Sequence, residues 1–288
     1  MAEAMVPVTD RSFLYADSIY DTVRTYHHKP FLLGDHLDRL RRSGRELSLP
    51  VPWDDAQLFG ITDALMEAWP EGSEASLRII VTRGDGGHGL ALPVPTVPRL
   101  VVMARPLTAP SPALYREGVR LGRPPKWITG GSGVPAHVKS GSYLANILAL
   151  QAVRAEGAFE GLLRGADGSW SEATTSNLFV VKNGVLHTPG TSDHILPGVT
   201  RALVLALAVR AGIQTQERPI NDDDLETADE IFLTSSIKEI LAVSELDKAR
   251  VSGVTPGPLT VRLSTLYRTA VNRLLREDVT RVSDGFLE

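Results

Sequence analysis

The sequence predicts an α/β (α+β) protein of two mixed domains. Strand-type runs and helix-periodic runs follow one another along the whole chain. The proline-spaced run Pro106-Leu107-Thr108-Ala109-Pro110-Ser111-Pro112 divides them. With 288 residues, 43% hydrophobic and 22% charged, the chain is long enough for two cores. The expected division is a small domain over residues 1–106, a linker over 107–114 and a larger domain over 115–288.

From Ser18, SIYDTVRTY alternates apolar and polar residues, and His27-His28-Lys29 turns it into PFLL, which reads as a β-hairpin. Asp35 is the expected N-cap of a helix HLDRLRRSGREL whose apolar face is Leu37, Leu40 and Leu47. A second helix runs from Asp54 or Asp55 to Ala68, then a strand ASLRIIVTR, a glycine-rich loop from Gly84 to Gly89, and a strand RLVVMAR. The second half opens with a strand GVRLG and a GGSG loop before Lys139. LANILALQAVRAEG follows as a helix ended by Gly157. The strands GLLRG, NLFVV and VLHT are turned by Asp167-Gly168 and Asn183-Gly184, the latter a strong hairpin signal. Leu196-Pro197-Gly198 opens a helix that stops at Gly212, the strand DEIFLTSS ends in hydroxyls, and LTVRLSTLYRTAVNRLLRE closes the chain as an amphipathic helix.

A net charge of -4 with scattered arginines leaves no basic stripe for nucleic acid and no polybasic run for a membrane surface. The absence of cysteine excludes a disulfide framework, a zinc-thiolate site and a cysteine nucleophile. The seven histidines show no metal-ligand spacing, so no metal is expected. The start lacks a basic segment followed by an apolar run, and no stretch approaches a membrane span, so a cytoplasmic enzyme is the expectation.

Of the six lysines (29, 126, 139, 182, 238 and 248), Lys29 and Lys182 fall in hairpin turns where solvated lysines belong. Lys139 lies between a glycine-rich loop and an apolar helix, where an ammonium needs a reason. Glu172 precedes the hydroxyl run Thr174-Thr175-Ser176, and the amides beside Val199 and Thr200 open a helix. Taken singly, each has an ordinary explanation: a surface lysine, a strand-end carboxylate, a helix cap. Ser235 and Ser236 read equally well as turn serines, Arg39 as a solvated helix arginine and Tyr143 as core. Together they supply an amine for a Schiff base, an anion for a pyridine nitrogen and donors for a phosphate, which is the set that pyridoxal 5'-phosphate requires. Tyr143, one helical turn beyond Lys139, is expected on the lysine's side. The loop RGDGGHG lacks a Walker lysine and the order of a dinucleotide fingerprint.

These residues resemble the class IV aminotransferases, the fold-type IV pyridoxal phosphate enzymes that include branched-chain and D-amino-acid aminotransferases and aminodeoxychorismate lyase. The resemblance runs through FLYADSIYDTVRTY, HLDRL, KSGSYLANILA, SEATTSNLFVV, LPGVTR and FLTSS in family order. It implies two mixed α/β domains joined by a short linker, with the cofactor at the domain interface. It implies that Lys139 forms the Schiff base, that Glu172 pairs with the pyridine nitrogen, and that Tyr143 contacts the ring oxygen. Arg39, Val199, Thr200, Ser235 and Ser236 would bind the phosphate, and Leu196 would lie against the cofactor. Tyr15, Tyr20, Thr22, Arg24, Arg78, Ser236 and Ile237 would face the substrate, in a homodimer to which Tyr15 contributes across subunits. The implied activity is ping-pong transfer of an amino group between a hydrophobic or branched-chain amino acid and 2-oxoglutarate.

Arg24 and Arg78 match arginines of branched-chain enzymes, whereas Thr22 stands where those have glycine and Ser76 where they have tyrosine. The D-amino-acid enzymes carry an Arg-x-His pair where this chain reads His88 and Leu90. Thr22 and the RGDGGHG loop are lyase-like, and Ser142 stands where many relatives have asparagine. The alternatives are an aminodeoxychorismate lyase-type enzyme, a D-amino-acid or (R)-amine transaminase, and a non-catalytic protein that binds the cofactor.

Overall fold

A computed structural model describes residues 4–286 apart from 87–88, 126–133, 166, 192–194 and 252. His88, Lys126, the loop at 130–133 and His194 therefore lie outside the described residues. Chain contacts divide the protein into two compact units, Met1–Leu107 with Val138–Tyr143, and Thr108–His137 with Leu144–Glu288.

The first unit begins with a short helix α1 (Arg11–Tyr15), capped by Asp10, which accepts from the Ser12 amide. The hairpin of β1 (Ser18–Tyr26) and β2 (Lys29–Pro30) turns through His27 and His28 at φ 50° and 64°, the doubly left-handed geometry of a type I′ turn. α2 (Leu33–Glu46) packs on β1 through Leu37 and Leu40, both fully buried and each contributing about 2 kcal/mol. It starts two residues before the expected Asp35 cap. Burial of Leu32 and Leu33 fixes the entry, and Asp35 falls in the first turn, where its charge suits the helix dipole. α3 (Asp55–Glu67) carries a complete capping box between Asp54 and Gln57. β3 (Ala75–Thr82) and β4 (Arg99–Pro106) complete an antiparallel sheet of order β2-β1-β3-β4.

Successive side chains of β1 point to opposite faces. Ile19, Asp21 and Val23 turn toward α2, while Tyr20, Thr22 and Arg24 share the other face with their β3 partners Ile80, Arg78 and Ser76. The segment Val138–Tyr143 joins this unit, although the sequence places it in the larger domain. Tyr20 N donates to Lys139 O (2.9 Å), Gly141 N donates to Ser18 O (2.8 Å), and Ser140 bridges Ile19.

The second unit opens on α4 (Pro112–Glu117), inside the stretch expected to be linker. Proline at the first helical position costs no hydrogen bond, so Pro112 starts a helix rather than preventing one. There follow β5 (Val119–Gly122), α5 (Leu144–Ala155), β6 (Glu160–Arg164), β7 (Trp170–Ala173), β8 (Ser176–Lys182) and β9 (Val185–Thr188). Next come α6 (Val199–Arg210), β10 (Thr215–Glu217), α7 (Asp222–Glu226), β11 (Glu230–Ser235), β12 (Glu239–Leu246), β13 (Ala249–Arg250), α8 (Pro258–Arg276) and α9 (Val282–Phe286).

The strand order is β10-β9-β8-β11-β12-β5-β6-β7, and because β7 also pairs with β8, the strands from β8 to β7 close into a ring. One face of this ring is an apolar cluster of Val119, Leu121, Leu162, Leu178, Val180, Ile231, Leu233, Leu241 and Val243. On the other face Phe179 stacks on Phe232 at 4.8 Å. Helix α6 packs on β11, and α8 packs on β11 and β12 through buried Leu263, Tyr267 and Leu274. Glu172 lies within β7, and its pair with Asn177 is one of the two that join β7 to β8. Among the described residues no helix is long and apolar enough to cross a membrane, and no His, Asp or Glu group could hold a metal ion.

Candidate active site

In the first unit the site is built on the face of β1 that carries Tyr20. Lys139 is half-buried, its amide donating to Ser43 Oγ (3.1 Å) and its Nζ to Tyr143 Oη (3.2 Å). The ammonium stands 4.9 Å from the Tyr20 ring centroid, and the Tyr20 and Tyr143 rings meet edge to face at 5.5 Å. Tyr143 was expected beside Lys139 by helical periodicity, but α5 begins only at Leu144. The contact is made instead by a turn at Gly141, whose close approach to Ser18 leaves no room for a side chain: a Cβ there would stand 2.4 Å from Ser18 Oγ. Burial, and next the Tyr143 hydroxyl, push the Tyr20 phenol far above its ordinary value, so it stays neutral.

On the same face the Arg78 guanidinium lies 3.9 Å from the Tyr20 centroid, and Arg24 lies 4.1 Å from that of Tyr26. Among the described residues Arg78 Nε is buried without a hydrogen-bond partner. Thr22 pairs with Arg78 across the β1–β3 ladder. Tyr15 is 40% exposed at the end of α1, with Arg11 4.9 Å from its ring.

Arg39 reaches from α2 to Asp21, whose side chain leaves β1 on the face opposite Tyr20. Its Nε donates to Asp21 Oδ2 (2.9 Å) and its Nη2 to Asp21 Oδ1 (2.7 Å), while His36 Nδ1 meets Asp21 Oδ1 at 2.7 Å. Burial alone would push the fully buried Asp21 up, but the Arg39 guanidinium and His36 outweigh it and hold the carboxyl well below its ordinary value. No sequence motif marks Asp21 or His36; a lone carboxylate inside an apolar strand is the available signal.

Asp21→Asn is expected to cost about 3 to 5 kcal/mol at neutral pH, because it leaves the Arg39 charge buried without its counterion. A carboxyl with a lowered folded pKa contributes stability above its unfolded value and loses it as pH falls toward the folded one. Urea melts should show the gap between wild type and variant narrowing below about pH 4. A gap that stays constant to pH 3 would show that the Asp21 charge contributes nothing.

In the second unit Glu172 is oriented by two donors. Leu196 N donates to its Oε2 at 3.0 Å, and Asn177 Nδ2 donates to the same oxygen at 3.2 Å and to Leu196 O at 2.8 Å. Asn177, also missed in sequence, thereby ties Glu172 to the N-terminus of α6. Gly198 is the N-cap there without a side-chain cap, and a Cβ on it would stand 2.0 Å from Asn177 Oδ1. Val199 and Thr200 are buried in the first turn, where amides have no intrahelical acceptor. Ser236 and Ile237 lie in the turn after β11, and Ser235 Oγ accepts from Lys238 N at 3.2 Å.

The donor set fits the expected cofactor in chemical kind. The first unit offers a primary amine beside a phenol, and the second offers an oriented carboxylate and an uncapped helix N-terminus suited to phosphate.

The sequence matches the family described as Amino-transferase class IV over residues 18–246. It is 33% identical to a protein of Methanocaldococcus jannaschii named "Putative branched-chain-amino-acid aminotransferase", over 92% of this chain and 91% of that one. It is 30% identical to the D-alanine aminotransferase of Listeria innocua, over 96% of this chain and 94% of that one. The fold matches the crystal structure of 4-amino-4-deoxychorismate lyase from Pseudomonas aeruginosa with a TM-score of 0.79 and 31% identity, covering 96% of this chain and 97% of that one.

Proposed function

The chain belongs to the class IV aminotransferases, and from that premise we propose that it moves the amino group of a hydrophobic or branched-chain amino acid to 2-oxoglutarate by a ping-pong sequence. The family's cofactor is pyridoxal 5'-phosphate, and amino acids and 2-oxo acids are its substrates. When bound, the cofactor supplies an aldehyde that condenses with amines and a ring that takes up the electron pair left at a deprotonated α-carbon. In this proposal Lys139 anchors it through Nζ and then serves as the base for the substrate's α-proton. Glu172 keeps the pyridine nitrogen protonated, and Tyr143 contacts the ring oxygen. Arg39, Val199, Thr200, Ser235 and Ser236 hold the phosphate end, Leu196 lies beside the cofactor through the amide that orients Glu172, and Ile237 is next to the substrate.

The observation that carries the substrate assignment is the shared face of β1 and β3. It sets Arg78, with its unpartnered Nε, against the Tyr20 ring that the Lys139 ammonium also faces, and Arg24 further along the same face against Tyr26. Arginine nitrogens recognise a carboxylate, and the aromatic surface suits an apolar side chain. The activity named for the Methanocaldococcus jannaschii relative supports the same reading. A homodimer is part of the proposal, supported by Phe13, Leu14 and Tyr15, 71%, 47% and 40% exposed on α1.

The test is incubation of the holoenzyme with single donors and no acceptor. L-leucine should convert the cofactor's spectrum to that of pyridoxamine 5'-phosphate, and 2-oxoglutarate should restore it. Conversion by D-alanine but not L-leucine, or pyruvate release from aminodeoxychorismate without an acceptor, would overturn the assignment in favour of the D-amino-acid or lyase activity.

A further inference from the structure

We propose that Lys238 is a positioning residue whose ammonium fixes the turn carrying Ser235, Ser236 and Ile237 relative to the hairpin carrying Glu172. The proposal rests on the assignment of Ser235 and Ser236 to the cofactor phosphate made above.

Lys238 lies at the end of the hairpin between β11 and β12. Ser236, Ile237 and Lys238 form the turn, closed by Ser235 opposite Glu239, which takes φ 56°. A three-residue hairpin loop followed by a left-handed residue is a stable connection, but it does not by itself fix where the loop stands relative to the neighbouring hairpins. Here the loop is tied down on three sides through one residue. The Lys238 amide donates to Ser235 Oγ (3.2 Å), the Lys238 carbonyl accepts from Tyr115 Oη (3.1 Å), and the side chain runs back into the unit to a buried carboxylate.

That carboxylate is Glu160, the first residue of β6, with 3% of its side chain exposed against 14% for Lys238. The ammonium donates to Glu160 Oε1, to Thr175 Oγ1 and to Ser176 Oγ (3.0 Å), which accounts for all three of its hydrogens. Thr175 and Ser176 in turn donate to Glu160 Oε1. Thr174 and Thr175 form the tight turn between β7 and β8, and the rungs behind it are Ala173–Ser176 and then Glu172–Asn177. The neighbouring rung Thr234–Asn177 joins β8 to β11, so both turns stand at one end of the sheet. One ammonium thus links the turn of Ser235, Ser236 and Ile237 to the turn beyond Glu172. A charge buried in this way has one good geometry, because every alternative leaves it or Glu160 without a partner. Lys238 therefore sets the distance between the group that addresses one end of the cofactor and the serines that address the other.

The test separates positioning from stability by comparing two aldehydes, pyridoxal 5'-phosphate and pyridoxal, in equilibrium titrations of the cofactor-stripped full-length protein followed by visible absorbance. Wild type should prefer the phosphorylated aldehyde. Lys238→Met should lower that preference about tenfold or more, as loss of an orienting outer contact does at other sites, and Lys238→Arg should restore most of it. The double substitution Glu160→Leu with Lys238→Met removes both charges, so it folds without a lone buried carboxylate, and it should show the same lowered preference. If both Met variants keep a preference within about twofold of wild type, whatever their melting temperatures, Lys238 only stabilises the sheet and the proposal fails. If wild type itself binds the two aldehydes equally, the phosphate assignment fails and takes this proposal with it.

Discussion

Lys139→Ala is expected to lower turnover by about 10⁴-fold or more while leaving the fold intact, because the proposed function gives one nitrogen both the anchoring of the cofactor and the substrate's α-proton. Loss of general-base catalysis alone accounts for a factor of about 10² to 10⁴, and loss of the covalent anchor adds to it. The fold should survive because the segment is held by its backbone, through the Tyr20 amide, the Ser43 hydroxyl and Gly141 on Ser18, rather than by the ammonium. Lys139→Arg should be nearly as inactive, since a guanidinium cannot lose its proton to become a nucleophile or a base. Borohydride reduction of the wild-type holoenzyme followed by peptide mapping should mark the peptide containing Lys139. A mark on Lys238 instead, or Lys139→Ala retaining more than about a tenth of wild-type turnover, would move the anchor elsewhere.

Much of the fold follows from periodicity that one segment carries by itself. The run SIYDTVRTY is extended because its β-branched and aromatic residues alternate, and α3 starts at Asp55 because Asp54 and Gln57 satisfy each other's amides. What could not be read locally was decided by distant contacts. β7 is a strand because β6 and β8 lie on either side of it, while its own sequence WSEA has no strand signature. Pro112 reads as a breaker in a proline-rich run, yet it opens α4. β12 passes from Glu239 to Leu246 between β11 and β5, and its EILAVSEL serves a helix as well as a strand until those neighbours are present.

The same distinction governs the site. Lys139 stood out because glycine and apolar neighbours gave its charge no local purpose. Tyr143 was paired with it on a helical spacing that does not exist there, and the contact survives because Gly141 makes the turn that brings the ring back. Asp21, Asn177, Glu160 and Lys238 were invisible for a common reason. Each matters through a partner at least 15 positions away, Asp21 with Arg39, Asn177 with Leu196, and Glu160 with Lys238. A sequence shows that a charge exists but not which charge the fold turns toward it.

Glu172→Gln carries the second large effect, an expected fall in turnover of about 10² to 10³-fold with the cofactor still bound, the size seen when one preorganised group facing developing charge is removed. The substitution preserves shape and leaves an oxygen to accept from Leu196 N, so the α6 N-terminus should stay in place. What it removes is the negative charge. A carboxylate beside the pyridine nitrogen favours the protonated ring, and only a protonated ring draws the electron pair off the α-carbon strongly. The proposed anchoring at Lys139 does not need that proton, so the loss should fall on turnover and leave the affinity for pyridoxal 5'-phosphate within about threefold of wild type. Glu172→Asp keeps the charge but shortens the reach, and it should recover part of the loss. Stopped-flow half-reactions with L-leucine, read beside a cofactor titration, separate the two quantities. A Gln variant that turns over normally, or one that fails only because it no longer binds the cofactor, would show that the Glu172 charge does not act on the ring.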